Sequence, residues 1–369
     1  MHPGRATAEG TARFRGRFEG ARLAGGSFRQ VGELWLSSIG LGTYLGEADD
    51  ETDAAYEGAV IEALEAGINV FDTAINYRHQ RSERAVGRAL ARAFDEGIAA
   101  RDEVFVSTKG GFLPFDGDLP DDPPEYLRAT YLDTGLLQPG DIAAGCHAMA
   151  PAFLEDQLER SRANLGLETV DLYYLHNPET QLGELRPAVV GQRLTQAFDF
   201  LERAAEAGTI AAWGLATWNG LRSAPESVEH LDLQAVVDRA RRVRPEPRLA
   251  AVQLPLNLAM PEGLLRASQR LGEMVVPVLI AARHFGLTVF TSASILQGRL
   301  GRALPSEIGE ALPGFDSDTQ RALQFARSAP GVGTALVGMS KADHVRENAA
   351  VAERPPAGAE AYRRLFGPG

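Results

Sequence analysis

From Leu36 onward, short apolar runs alternate with longer amphipathic stretches of helical period. The runs lie at 36–40, 69–72, 104–109, 170–176, 211–217, 251–256, 287–292 and 334–337. Between them the period predicts helices over 53–66, 82–94, 152–165, 194–207, 275–285, 319–327 and 342–351. Gly67, Gly166, Gly208 and Gly286 each stand just before a strand, where a helix is expected to stop. Eight strands, each followed by a helix, predict an α/β protein built as a (β/α)8 TIM barrel. An open doubly wound sheet is the competing fold, and it wants a Gly-rich fingerprint after the first strand. Gly40, Gly42 and Gly46 do not have that spacing.

Two segments fall outside the rhythm. Residues 1–30 are rich in Gly and Arg and are expected to be a flexible extension, with a docking arm as the alternative. Residues 31–369 then form a single barrel domain, interrupted by a long insertion after the third strand. That insertion, 110–151, is dominated by Pro, Gly and Asp. It follows a strand end on the face where barrels keep their active sites. Its Phe112, Phe115, Tyr126, Tyr131 and His147 suit a lid over a pocket. A solvated decoration is the other reading.

Composition narrows the function. The net charge of −12 is a poor start for binding a phosphate backbone, so no nucleic-acid partner is expected. A single cysteine, Cys146, excludes a disulfide within the chain and a multi-thiolate zinc site. Cys146 and His147 lack further ligands, so no metal is expected. The chain shows no long apolar run and no signal-like start, which points to the cytoplasm and away from a membrane. Only two lysines, Lys109 and Lys341, occur among 37 basic residues, a hint that each supplies an amine guanidinium cannot replace.

Polar groups gather at the ends of three successive strands. They are Asp72, followed five residues later by Tyr77, then Lys109, then His176. In a parallel barrel these ends adjoin at one mouth. Singly, each has an ordinary structural use as a cap, a rim aromatic, an ion pair or a core histidine. Together they suit proton delivery. A phenol is a poor acid at neutral pH, and a neighbouring ammonium makes it a better one. A carboxylate beside the lysine keeps it charged, and a histidine can orient a carbonyl oxygen. No nucleophile or metal cage accompanies them, so a cofactor must bring the other reactant, with nicotinamide hydride the natural candidate.

These residues sit in stretches that resemble the aldo-keto reductase superfamily. The stretches are GINVFDTAINY at 67–77, STKGG at 107–111 and LERSRANLGLETVDLYYLHNPE at 158–179. VQLPLN at 252–257, LQGRL at 296–300 and VGMSKADHVRENAA at 337–350 continue the match in the family's order. The resemblance implies a (β/α)8 barrel that binds NADPH or NADH across its mouth. It implies Tyr77 as general acid/base, Lys109 as its partner, Asp72 as the lysine's counter-ion and His176 as the carbonyl-orienting group.

For the cofactor, the resemblance implies contacts from Thr43, Thr217, Gln253, Ser292, Gly298, Gly338, Ser340, Lys341, His344 and Asn348. Two departures stand out. Ala216-Thr217 replaces the family's usual Ser-Asn pair, and Ser292 stands where an aromatic commonly stacks on the nicotinamide. Ser340 and Lys341 fall where relatives grip a 2′-phosphate, while His344 replaces an expected arginine. The expectation is NADP(H), slightly preferred over NAD(H). Tyr44, Phe112, His147 and Trp218 are expected to touch a small carbonyl or alcohol substrate. Two alternatives remain: a Schiff-base lyase or aldolase using Lys109, and a nucleotide-sensing regulatory barrel.

Overall fold

In the computed structural model, which describes residues 1–366, eight parallel strands close into a barrel. They are β1 (Ile39–Gly42), β2 (Val70–Asp72), β3 (Phe105–Gly110), β4 (Val170–His176), β5 (Ile210–Ala216), β6 (Leu249–Pro255), β7 (Thr288–Ser292) and β8 (Val332–Gly338). Each strand pairs with its sequence neighbours, and β8 closes on β1. Strands covered on both faces read as near-continuous apolar runs, which is why the pattern was legible. Inside, Val70, Phe105, Leu172, Tyr174, Phe290 and Leu336 fill the barrel as a packed core. Outside, the helices pack their apolar stripes onto the strands.

The expected helices form at Asp50–Glu65, Arg81–Asp95, Pro151–Leu165, Pro187–Glu206, Val278–His284, Asp318–Ser328 and Ala342–Ala349. Gly166 and Gly208 take left-handed φ of 67° and 77°, the conformation that ends those helices cheaply only at glycine. An unpredicted helix, Leu233–Val243, lies between β5 and β6, started by Asp232 accepting from the Ala235 N–H.

Residues 1–30 are not a loose extension. Helix Ala8–Phe18 starts at Thr7, whose hydroxyl accepts from the Gly10 N–H, and it buries Phe14 completely. Asp171, at the start of β4, accepts from the Ala6 N–H at 2.7 Å and from Arg101 at 2.8 Å. Arg13 pairs with Asp102 and Glu103. Arg17 also pairs with Glu103, so arginines of the segment tie it to the barrel. The first apolar run also divides: Leu34–Ser37 pairs antiparallel with Phe28–Val31, and strand pairing in the barrel begins at Ile39. Leu36 from this hairpin joins the barrel's interior cluster and closes the end opposite the functional mouth.

The insertion folds on itself. Leu113, Tyr131, Leu137, Ala148 and Phe153 form a small separate core. Its two ends are stitched by Leu113 N–H to the Cys146 carbonyl and Ala148 N–H to the Gly111 carbonyl, both at 2.8 Å. Among the described residues no helix is long and apolar enough to cross a membrane, and no cluster of three or more His, Cys, Asp or Glu side chains is placed to hold a metal.

Candidate active site

The strand C-termini open into one cavity of about 820 Å³. Asp72 ends β2, Lys109 lies one residue before the end of β3 and His176 ends β4. Asp72 is buried and fully engaged. One carboxylate oxygen accepts from the Ser107 hydroxyl at 2.7 Å and the Gln253 amide at 2.9 Å. The other accepts from Lys109 Nζ at 2.6 Å. Lys109 is 0% exposed and also donates to the Thr73 carbonyl at 2.7 Å. Its Nζ lies 4.9 Å from the centroid of the Tyr77 ring.

Tyr77 sits in the loop after β2, followed by Arg78, His79 and Gln80, all with left-handed φ. Such a run is strained and needs surrounding contacts to hold it. They are present. Arg78 Nε donates to the Glu47 carbonyl at 2.6 Å and its guanidinium pairs with Asp53. Gln80 donates to the Phe115 carbonyl at 2.9 Å, so the insertion also braces this loop. The Tyr77 ring meets Tyr44 edge-on at 5.1 Å and His176 at 6.0 Å.

Burial sets the proton affinities. It pushes the Tyr77 phenol above its ordinary value, while Lys109 pulls the other way. The expectation that the ammonium lowers this pKa holds for its direction of action, but desolvation is the larger effect. Burial opposes the Lys109 charge, yet Asp72 and Tyr77 together hold the ammonium above its ordinary range. His176 is held well below the ordinary imidazole range by burial, reinforced by Lys109 and His147, so it is neutral at physiological pH.

The cavity wall includes Asp72, Tyr77, His176, Thr43, Tyr44, Phe112, Thr217, Trp218, Gln253, Ser292, Gly298, Gly338, His344 and Asn348. Tyr44 and Trp218 are 58% and 42% exposed and form its rim. Lys109 lies behind the wall, reached through Asp72 and Tyr77. Ser340 and Lys341 do not line the cavity; they sit just before helix Ala342–Ala349, next to Gly338 and His344, which do. His147 is a correction. It is fully buried and lies outside the cavity, bonded to the His176 carbonyl oxygen at 2.7 Å. Burial pushes its imidazole down to about 4. An aromatic-rich loop suggested substrate contact, but Tyr126 and Tyr131 turn into the segment's own core, Phe115 packs on His79 and Tyr126, and of residues 110–151 only Phe112 reaches the cavity.

Sequence reasoning missed Asn76, Asn177, Gln297, Arg302 and Glu347, which also line the cavity. Asn76 and Asn177 adjoin Tyr77 and His176 inside stretches already singled out, so adjacency was an available signal. Arg302 carried none. Four polar atoms along the cavity are buried without a partner: Asn76 Oδ1, His176 Nδ1, Thr217 Oγ1 and Asn348 Oδ1. Orphaned groups of this kind are costly in a protein interior, and a polar ligand lying along the cavity would satisfy them.

A model described as the aldo/keto reductase family matches residues 38–286. A D-threo-aldose 1-dehydrogenase from Pseudomonas sp is 28% identical over 221 residues, covering 60% of this chain and 60% of that protein. A D-galacturonate reductase from Fragaria ananassa is 31% identical over 163 residues, covering 44% of this chain and 39% of that protein. The chain thus spans less than two thirds of the length of each of these curated relatives. An aldo/keto reductase from Klebsiella pneumoniae, solved in complex with NADP and acetate, shares the fold with a TM-score of 0.62. It is 20% identical, with 94% of this chain and 96% of that chain covered.

Proposed function

Because the chain belongs to the aldo/keto reductase family, we propose that it is an NAD(P)-dependent oxidoreductase. Its substrate is an aldehyde, ketone or sugar-like carbonyl, or the matching alcohol. The observation that carries this reading is the buried Asp72–Lys109 pair beneath Tyr77, at a cavity that His176 also lines. When bound in this cavity, a nicotinamide would supply the hydride. In reduction, neutral His176 orients the carbonyl oxygen by hydrogen bonding. Tyr77 gives its phenolic proton to that oxygen as alkoxide character develops. Lys109 stabilises the phenolate left behind, and Asp72 with Thr73 holds the ammonium in place. Oxidation runs the same proton in reverse.

The residues suit a dinucleotide. Thr217, Gln253 and Ser292 would hold the carboxamide end, and Thr43, Gly298 and Gly338 the length between. His344 and Asn348, with Ser340 and Lys341 beside them, would hold the adenosine end. The unpartnered Thr217 Oγ1 and Asn348 Oδ1 support this placement. Ser340 and Lys341 support NADP(H) slightly over NAD(H), and the NADP bound to the Klebsiella protein agrees with that class. The single cysteine suits a cytoplasmic protein. A Schiff-base role for Lys109 is disfavoured by its ion pair and by its place behind the cavity wall.

Fluorescence titration with NADPH and NADH, followed by aldoses and simple aldehydes, tests the reading. The expected result is saturable binding of NADPH, no weaker than NADH, and its oxidation by at least one carbonyl. Binding with no turnover across the panel would favour the nucleotide-sensing barrel. A borohydride-trapped adduct at Lys109 would favour the lyase.

A further inference from the structure

We infer that the 111–150 segment serves the reaction by fixing His176, with His147 as the positioning residue that carries the effect. This rests on the role proposed for His176. The His176 carbonyl oxygen can only accept, so His147 Nε2 bears the proton of their 2.7 Å bond. Nδ1 is then an acceptor, and Gln181 Nε2 donates to it at 3.1 Å. The Gln181 amide cannot flip freely, because its oxygen accepts from Arg193 at 2.9 Å. Arg193 also donates to the Asp141 carbonyl at 2.9 Å, which returns the chain of bonds to the insertion.

Two further observations concern the same contact. The Phe112 ring meets both imidazoles edge-on, at 5.1 Å to His147 and 5.0 Å to His176. Gly111, at a φ of 142°, leaves the space in which the bond forms. A Cβ there would lie 2.9 Å from both His147 Nε2 and the His176 oxygen. The next residue, Asn177, takes a left-handed φ of 44°, a turn that its surroundings must impose. His147 does not line the active-site cavity, so its action passes through the backbone and ring position of His176.

A double-mutant cycle on the full-length enzyme tests this. His147→Phe is expected to lower kcat about tenfold, as a small misplacement of a reacting group does, with NADPH affinity unchanged. On a His176→Gln background the same change is expected to add no further loss. His147→Gln, which keeps an N–H donor, is expected to recover part of the activity. Equal losses on both backgrounds, or no loss on the parent, would overturn the inference. If His147→Phe fails to fold, Gln181→Leu replaces it in the same cycle, with the same two outcomes deciding. Full turnover of His176→Gln alone would instead remove the role of His176 itself, and this inference with it.

Discussion

Replacing Tyr77 by phenylalanine is expected to lower turnover by roughly 10²–10⁴-fold, the usual worth of a positioned acid, and to leave NADPH affinity within about twofold. The phenyl ring keeps the edge contacts to Tyr44 and His176 and the place above Lys109. Only the hydroxyl is lost, so the loss falls on the transition state and not on binding. Steady-state kinetics with fluorescence titration separate the two. Undiminished turnover would remove Tyr77 from the chemistry.

The second large effect is expected at Lys109. Lys109→Met keeps the stem's bulk but leaves the buried Asp72 carboxylate without its counter-ion. Breaking a buried pair from one side costs about 3–5 kcal/mol, readable in denaturant midpoints. Turnover is expected to fall at least about 10²-fold, because the phenolate loses the charge that opposes its desolvation. Adding Asp72→Asn removes the stranded charge. The double variant is expected to regain most of the stability and none of the turnover. Recovery of both would show that the pair is structural only.

Much of the fold was legible because parallel strands buried on both faces read as continuous apolar runs, with glycine at helix ends. The 170–176 run coincides with β4. The candidate site was legible because Asp72, Lys109 and His176 sit at or near strand C-termini, which topology alone brings to one mouth. What escaped had non-local causes. Residues 1–30 read as disordered from composition, yet Asp171, 165 positions away, accepts from the Ala6 N–H. Leu36 looked like a first barrel strand because a hairpin plug needs the same apolar residues. His147 looked like a pocket residue because its partners, the His176 carbonyl and Gln181, lie 29 and 34 positions downstream. The direction of the Tyr77 shift depends on how deeply the phenol is buried, which no local pattern encodes.

The rate of carbonyl reduction as a function of pH tests the central claim most directly. Reduction needs Tyr77 protonated, and burial raises its pKa above the ordinary phenol value. His176 is already neutral, since its pKa lies well below the ordinary imidazole value. Reduction is therefore expected to hold level across neutral pH and to fall only as pH rises through the raised phenol pKa. Alcohol oxidation, which needs the phenolate, is expected to rise through that same point, and the residual activity of Tyr77→Phe is expected to lack the transition. A reduction rate that climbs with alkalinity, or an alkaline transition that persists in Tyr77→Phe, would contradict the account.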